Sequence, residues 1–370
     1  MSQKYNVAAY IWPAYTGREP RTRIFWPEGM GEWQSVKNEK PKANGYSWGR
    51  RPLWGYQEEA DPAVMEMQIQ QAVEHGVNVF AYDWYWYDRR PFLENCLNDG
   101  FLQAKNNHLM KFYLMWANHD AVQLWDIRNS NDLDTVVWSG QVDRVAFEPM
   151  AKRLIEKYFK LPQYLTIDGK PLFCIYDLKN FVAGLGGLEV ARDAIVWFRE
   201  ECVKAGLPGL HLQIILQSAH VANMSGIDRD TLQLTPEMAE FLNVDSVTHY
   251  QYVHFTDIDR AYPDIVVDVL KQWEELSRDF KIPYFPHVSL GWDNNPRYLT
   301  FRGGIMRETT PENIRAAMEH AKAYVDSHPD QFPLVTVNSW NEWTETSYLQ
   351  PDDVNGYGYL EAIRRVFKGE

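Results

Sequence analysis

Two carboxylates near the end of the chain, Glu342 and Glu345, have the types and spacing that sugar chemistry requires. If this segment forms a turn of helix, a spacing of three residues puts both side chains on one side, within reach of one small ligand. One acid can then protonate a leaving oxygen and the second can assist at the ring, while Trp340, Trp343 and Tyr348 hold a pyranose. The alternative is a helix start whose acidic residues are favoured by the dipole and whose tryptophans are core residues. The spacing by itself favours neither.

The acid pair follows a short apolar run that is β-branched at Val335, Thr336 and Val337 and is typical of a buried strand. Such runs alternate with amphipathic segments eight times, with no linker-like stretch between them. This alternation predicts an α/β fold, a single (β/α)8 TIM-type barrel over residues 1–370. An open doubly wound sheet is the runner-up, but no Gly-x-Gly-x-x-Gly and no phosphate loop occurs. The predicted strands are 6–12, 77–82, 110–115, 171–176, 210–216, 246–250, 282–290 and 334–339.

Helix signals lie between these runs. Asp61 and Pro62 supply an N-cap and a first helical residue, and Thr310-Pro311-Glu312 opens another helix in the same way. The predicted helices are 61–75, 92–107, 144–159, 188–205, 236–242, 263–280, 310–325 and 356–367.

The first βα connection is predicted to be a long loop, because residues 13–60 show no sustained helical period. So long an irregular stretch in a compact domain is more often functional than idle. Two interpretations stay open: its aromatic and basic side chains line a groove, or it is a packed Ω-type loop whose tryptophans cover the barrel mouth. The side chains concerned are Trp26, Trp33, Trp48, Trp54, Arg50 and Arg51.

The barrel prediction places the active site at the carboxyl ends of the strands. The residues there are acidic, amide-bearing and aromatic with almost no Lys or Arg, which suits a neutral polyol that develops positive charge on its ring. Each has a structural alternative, since Asp83 or Asp177 can cap the following helix and Tyr250 can be rim packing. Besides the acid pair, the predicted substrate-binding residues are Trp12, Asp83, Tyr85, Trp86, Trp116, Asn118, His119, Asp177, Tyr250, Trp292, Asn341 and Tyr348.

Composition limits the classes of partner. A net charge of −13, without any Lys/Arg-rich run, argues against nucleic acid and against anionic membranes. No apolar stretch approaches the ~18 residues of a spanning helix. The aromatic excess of 15 Trp, 21 Tyr and 17 Phe fits an oligo- or polysaccharide partner, and it also fits a protein–protein surface.

The sequence contains no pattern for a metal, a cofactor or a nucleophilic serine. The ten histidines never form His-x-x-x-His, and Gly-x-Ser-x-Gly is absent. The three cysteines, Cys96, Cys174 and Cys202, are expected to be buried free thiols. The N-terminus lacks an apolar signal core, which favours the cytoplasm, or the periplasm or exterior if a signal has been removed.

The segment from Trp340 to Glu345, continuing through Tyr348-Leu349-Gln350-Pro351 to 356–362, resembles the C-terminal signature of the glycoside hydrolase family 99-like domain. The segments 76–86 and 116–118 resemble two further blocks of that family in the expected order. The resemblance implies a (β/α)8 barrel acting on α-linked sugars, with endo-α-mannosidases among the relatives and others described as lipopolysaccharide-biosynthesis glycosyltransferases.

The resemblance also implies roles for the acid pair. Glu342 would take the proton of the substrate's 2-hydroxyl, and Glu345 would protonate the leaving oxygen and later activate water. Reaction through a 1,2-anhydro sugar would then retain the anomeric configuration. Three positions depart from the family pattern and leave mannose specificity and endo action open: Thr344 stands for His, Thr346 for Gly, and His119 for a frequent Glu.

Three functions follow as hypotheses. A retaining glycoside hydrolase leads, because the carboxylate pair is intact. A surface-polysaccharide or lipopolysaccharide glycosyltransferase would need a sugar-nucleotide or lipid-linked donor, for which no phosphate-binding feature is visible. An inactive carbohydrate-binding barrel would bind oligosaccharide without turnover.

Overall fold

The computed structural model describes residues 4–129, 135–218, 220–221 and 229–369. Residues 1–3, which belong to the N-terminal segment predicted to lack a signal peptide, lie outside the described residues. Eight parallel strands form a nearly closed barrel, and the predicted (β/α)8 fold is confirmed. That residues 1–370 form one domain stays a prediction. The barrel strands are β1 (Asn6–Ile11), β2 (Val79–Tyr87), β3 (Lys111–Trp116), β4 (Lys170–Ile175), β5 (His211–Ile215), β6 (Ser246–Thr248), β7 (His287–Ser289) and β8 (Leu334–Asn338).

The strands pair in chain order, and β1 lies between β2 and β8. The barrel closes between β6 and β7 by a short bridge, in which the Val247 N–H donates to Pro283 O (3.0 Å) and the Phe285 N–H donates to Val247 O (2.9 Å). The ladder of β7 is therefore shorter than the predicted strand 282–290. Pro283 and Pro286 explain the difference, because proline has no N–H to donate to a ladder.

The strands are buried on both faces, as a parallel sheet covered by helices requires. All nine residues of β2 are buried, including the carboxylate of Asp83. Successive side chains along a strand point to opposite faces. Of each strand's terminal residues, therefore, only alternate side chains can face the barrel mouth.

Most predicted helices are present with slightly shifted ends. The Asp61 carboxylate accepts a hydrogen bond from the Ala63 N–H (2.8 Å) and caps the helix that follows. The predicted helix 92–107 is reduced to the short turns Cys96–Gly100 and Phe101–Gln103. The α-helices are α1 (Trp33–Lys37), α2 (Pro62–Glu74), α3 (Arg144–Leu154), α4 (Leu178–Leu185), α5 (Leu188–Lys204), α6 (Pro236–Phe241), α7 (Tyr262–Asp279), α8 (Pro311–Ser327) and α9 (Gly358–Phe367).

The long first loop is packed against the barrel. Trp26, Trp33 and Trp48 are buried in the hydrophobic core, and the Trp33 indole donates to Gln57 O (2.7 Å). The Arg50 guanidinium pairs with Asp352 at 3.0 Å. Of the two interpretations of this loop, the structure shows the packed one. In the part of the chain that the structure describes, no helix combines the length and the apolar character needed to cross a membrane.

Candidate active site

The acid pair lies on a hairpin that follows β8. Asn341–Glu342 pairs antiparallel with Ser347–Tyr348, and a 3-10 turn, Trp343–Glu345, connects them. A 3-10 turn has three residues per turn, so Glu342 and Glu345 project from one side. The predicted closeness of the two carboxylates therefore arises from a hairpin turn and not from the start of an α-helix. Trp340 and Trp343 are core residues, as the alternative interpretation expected, and they do not line the cavity, so the prediction that they hold a pyranose is wrong.

Both carboxylates line a cavity of about 450 Å³ at the carboxyl ends of the strands. Its volume lies in the range of ligand sites. The predicted residues that line it are Glu342, Glu345, Trp12, Asp83, Tyr85, His119, Asp177, Tyr250 and Trp292, whereas Trp86, Trp116, Asn118, Asn341 and Tyr348 are not part of its wall.

Strand alternation explains two of the residues that miss the cavity. Asp83 and Tyr85 point into it, so Trp86 points to the other face and stacks on Trp84 at 5.8 Å. Trp116 likewise packs outside the barrel, 6.2 Å from the ring of Phe147. The pleat lets only alternate residues at a strand end face the site, so the prediction that Trp86 and Trp116 bind substrate there is wrong.

The two asparagines tie chain segments together. The Asn118 amide donates to Asp177 O (2.7 Å) and accepts from the Asp177 N–H (2.8 Å), which connects the ends of β3 and β4. The Asn341 amide makes the same pair of bonds with the backbone of Trp12, at 2.9 and 2.8 Å. Both residues support the site from behind its wall.

Asp177 and Tyr348 also have structural partners. The Asp177 carboxylate accepts from the Asn180 N–H (2.9 Å) and caps α4, as the alternative interpretation expected, while the residue still lines the cavity. Tyr348 stacks on Trp343 with ring centroids 3.8 Å apart and donates to the Asp352 carboxylate (2.7 Å). Its ring stabilises the hairpin.

Arg297, which is not among the predicted site residues, contacts both members of the acid pair. Its Nη1 lies 2.6 Å from Glu345 Oε1 and its Nη2 lies 3.1 Å from Glu342 Oε2. Its Nε lies 3.4 Å from Glu32 Oε1, so three buried carboxylates surround one guanidinium whose side chain is only 11% exposed. Arg297 follows β7 at some distance, in a loop whose sequence carries no recognisable motif. The site was expected to contain almost no Lys or Arg, but an arginine contacts both of its catalytic candidates.

Burial governs the protonation of the acids. The pKa of Glu342 lies well above its ordinary value because the carboxyl is buried and Glu345 is close, and the charge of Arg297 opposes this. The pKa of Asp83 is also well above its ordinary value through burial, although the hydrogen bond from Tyr250 opposes the rise. The Tyr250 hydroxyl lies 2.8 Å from Asp83 Oδ2 and 3.3 Å from Glu342 Oε1 and connects the two acids.

Aromatic rings form another wall of the cavity. Trp12 packs edge-on against Tyr85 and Trp125, with centroids 5.5 and 5.3 Å apart, and the ring of His119 lies 5.7 Å from that of Trp125. Trp125 was not predicted, because it follows a short hairpin strand rather than a barrel strand. Rigid apolar ring faces of this kind can hold the faces of a pyranose.

Acidic residues outnumber basic ones around the cavity. Lys179 and Arg297 are its basic residues, and its acidic residues are Asp83, Asp120, Asp177, Glu342 and Glu345. In the described ranges, no three or more His, Cys, Asp or Glu side chains cluster so as to hold a metal ion.

Glu59 is a buried carboxyl behind the site. It accepts hydrogen bonds from the amides of Gln68 (3.2 Å), Gln350 (2.8 Å) and Asn341 (2.8 Å). Burial raises its pKa to about 7, although the three hydrogen bonds favour the charged form and oppose the rise. Glu59 is thus coupled through Asn341 to the hairpin that carries the acid pair.

We expect Glu59→Gln to change how stability depends on pH. The folded chain holds the Glu59 proton more tightly than the unfolded chain, so this group lowers wild-type stability as pH rises from about 4.5 to about 7. The slope is ~1.4 kcal/mol per pH unit, ~3 kcal/mol over the window. Glu59→Gln removes this slope. Its amide N–H then faces the amide N–H of Asn341, and this contact between two donors lowers stability by an amount that does not vary with pH. Urea unfolding at pH 5 and 7.5 measures the difference. Exposed Glu189→Gln is the control, and parallel curves for wild type and Glu59→Gln would contradict the expectation.

Known proteins resemble this chain in sequence and in fold. A family model described as glycosyltransferase WbsX matches residues 7–363. An uncharacterized protein WxcX of Xanthomonas campestris is 28% identical over 359 residues, which are 94% of this chain and 47% of that protein. The chain thus spans about half the length of the curated relatives it matches.

Two solved structures show the same fold. The GH99 endo-alpha-mannosidase from Bacteroides thetaiotaomicron superposes with a TM-score of 0.58 at 14% identity, covering 98% of this chain and 97% of that one. A glycoside hydrolase-like protein superposes with a TM-score of 0.63 at 15% identity, covering 99% and 94%. The resemblance predicted from the sequence motifs is confirmed, and at these identities the structures establish a shared (β/α)8 barrel.

Proposed function

The chain belongs to the WbsX glycosyltransferase family, and from that premise we propose that it is a retaining glycoside hydrolase acting on α-linked glycans. One observation carries the proposal: Glu342 and Glu345 lie together at the wall of a 450 Å³ cavity, in contact with the same guanidinium. The aromatic wall of Trp12, Tyr85 and Trp125 supports a pyranose as ligand. The likeness of the barrel to an endo-α-mannosidase supports the linkage.

The proposed reaction has two steps. In the first, Glu342 takes the proton of the 2-hydroxyl, O2 attacks C1, and Glu345 gives its proton to the leaving oxygen as the C1–O bond breaks. In the second, Glu345 takes a proton from water, whose oxygen opens the 1,2-anhydro sugar at C1. Glu342 then returns its proton to O2, and two displacements at C1 retain the anomeric configuration.

The electrostatics around Glu342 support its role as the base. A 2-hydroxyl is a weak acid, and the raised pKa of Glu342 makes this carboxylate a stronger base than an exposed glutamate. The positive charge of Arg297 keeps the ionised form accessible in spite of burial. The same guanidinium orients both carboxyl groups before a substrate enters.

The test is hydrolysis of a panel of α-linked oligosaccharides, with the first-formed product anomer identified by proton NMR. We expect the product to keep the substrate's configuration. Glu342→Gln should lower kcat by about 10²–10⁴-fold, because it removes the base. Glu312→Gln, at the exposed start of α8, is the matched control and should leave the rate unchanged. An inverted product, or full activity in Glu342→Gln, would reject the assignment.

Glycosyl transfer is the second candidate, favoured by the description of the family. A sugar-nucleotide donor brings two phosphates that need cations or backbone N–H groups. Arg297, the cation at the acid pair, already contacts three carboxylates. The acidic cavity therefore favours a neutral sugar over a diphosphate.

A donor panel separates the candidates. With sugar nucleotides and an oligosaccharide acceptor, a transferase would release nucleoside diphosphate and lengthen the acceptor, whereas a hydrolase would shorten a glycan without any donor. Binding of an oligosaccharide without either reaction would favour an inactive carbohydrate-binding barrel.

A further inference from the structure

Thr346, the residue directly after Glu345, has an unusual backbone conformation. It is in the left-handed region, with φ +58° and ψ +33°, and it ends the turn that carries the acid pair. A β-branched side chain rarely adopts this conformation, which glycine adopts without cost. Strain of this kind persists only where the surrounding contacts impose it.

The Thr346 hydroxyl makes two hydrogen bonds that impose it. It donates to Asp293 O (2.7 Å) in the segment after β7, and it accepts from the Trp48 indole N–H (2.7 Å) in the first loop. The Asp293 N–H donates in turn to Glu345 O (2.9 Å). A Cβ at Gly291 would lie 2.4 Å from Thr346 O, so the two segments pack backbone to backbone.

We propose that Thr346 is a positioning residue that fixes the backbone of the turn and so, together with the Arg297 guanidinium, sets the direction of the Glu345 carboxyl. Its hydroxyl connects the turn that carries Glu345 to the segment after β7 and to the first loop. Loss of either hydrogen bond would let the turn rotate about its last residue. The inference rests on the proposed function, since the role of the orientation is proton transfer from Glu345 to the leaving oxygen.

Three substitutions separate the hydroxyl from the backbone strain. Thr346→Ser keeps both hydrogen bonds, Thr346→Val keeps the β-branched shape without them, and Thr346→Gly removes the bonds together with the strain. The glycine variant should therefore unfold at a temperature equal to or above that of the valine variant. Thermal unfolding of both variants against wild type then separates a loss of activity from a loss of folding.

Kinetics on two α-glycosides provide the readout. For a substrate with a poor leaving group, which needs the acid, kcat should fall about tenfold or more in Thr346→Gly and Thr346→Val with KM nearly unchanged. For an aryl glycoside with a good leaving group, assayed with azide so that the second step needs no base, the same variants should stay within about threefold of wild type. Thr346→Ser should match wild type on both substrates. Trp48→Phe, which removes one of the two bonds, should give a smaller loss of the same kind. Equal losses on both substrates, or wild-type kinetics in the glycine and valine variants, would overturn the inference.

Failure of the proposed function gives a different result. If wild type hydrolyses no glycoside, the hydrolase proposal fails, and binding of the cationic iminosugar 1-deoxymannojirimycin, followed by calorimetry, decides the role of Thr346. Wild type and Thr346→Ser should bind it equally, and the glycine and valine variants about tenfold more weakly, because a misdirected carboxylate pairs poorly with the cation. Equal binding by all four proteins, or no binding by wild type, would overturn the inference.

Discussion

Glu345→Gln should lower kcat for a natural glycan by about 10²–10⁴-fold, because the amide cannot donate a proton to the leaving oxygen. The loss should be much smaller for a substrate whose leaving group needs no proton, such as a glycosyl fluoride. The variant should also lose the alkaline limb of the pH profile, which reports the proton on the acid. Its acid limb should move to lower pH, because the charge of Glu345 is one cause of the raised pKa of Glu342.

Azide distinguishes the acid role from a role in binding. Azide is a nucleophile that needs no general base, so it should restore turnover of the fluoride by Glu345→Gln and give a glycosyl azide of retained configuration. Glu342→Gln should show no such rescue. The step that it slows is formation of the 1,2-anhydro sugar, which must occur before azide can attack. A uniform loss on all substrates, without rescue, would remove Glu345 from proton transfer.

Arg297→Met should be the most destabilising substitution in the site. Its guanidinium contacts Glu32, Glu342 and Glu345, and its removal leaves buried carboxylates without their cation. Breaking a buried ion pair costs about 3–5 kcal/mol. Activity on every substrate should fall as well, because Glu342 would hold its proton more tightly and would no longer serve as a base at neutral pH.

The destabilisation should depend on pH in a defined direction. Without the cation, the folded variant binds more protons than the unfolded chain between about pH 4.5 and the raised pKa of its acids, so its stability falls as pH rises through that window. Relative to wild type, the loss measured by urea unfolding should be larger at pH 8 than at pH 5. Arg307→Met is the control, because its ion pair with Asp259 is exposed and should contribute about 0–1 kcal/mol. A loss for Arg297→Met no greater than the control's would show that the buried cluster does not depend on this cation.

Local patterns were sufficient to predict the barrel. β-branched and apolar runs marked all eight strands, and residues such as Asp61 with Pro62 marked the helix starts. The difference at β7 has a local cause too, since Pro283 and Pro286 are visible in the sequence. Strands and helices depend on residues within a few positions of one another, and such residues are adjacent in the sequence.

The composition of the cavity wall was predictable only in part. The strand ends identified Asp83, Tyr85 and Tyr250, but the pleat sends Trp86 and Trp116 to the other face. Knowing the strand without its register leaves the facing of each side chain undetermined, because a shift of one residue reverses every one of them.

By itself, the sequence determined the eightfold alternation, the pair of acids and their spacing, because each of these depends on residues close together in the chain. Only the tertiary structure decided what surrounds the acids. Arg297 is 45 residues from Glu342 and 265 from Glu32, and Trp48 is 298 residues from Thr346. Contacts over such separations form only when the barrel brings distant loops to one mouth, and no local pattern in a single chain records which loops will meet there.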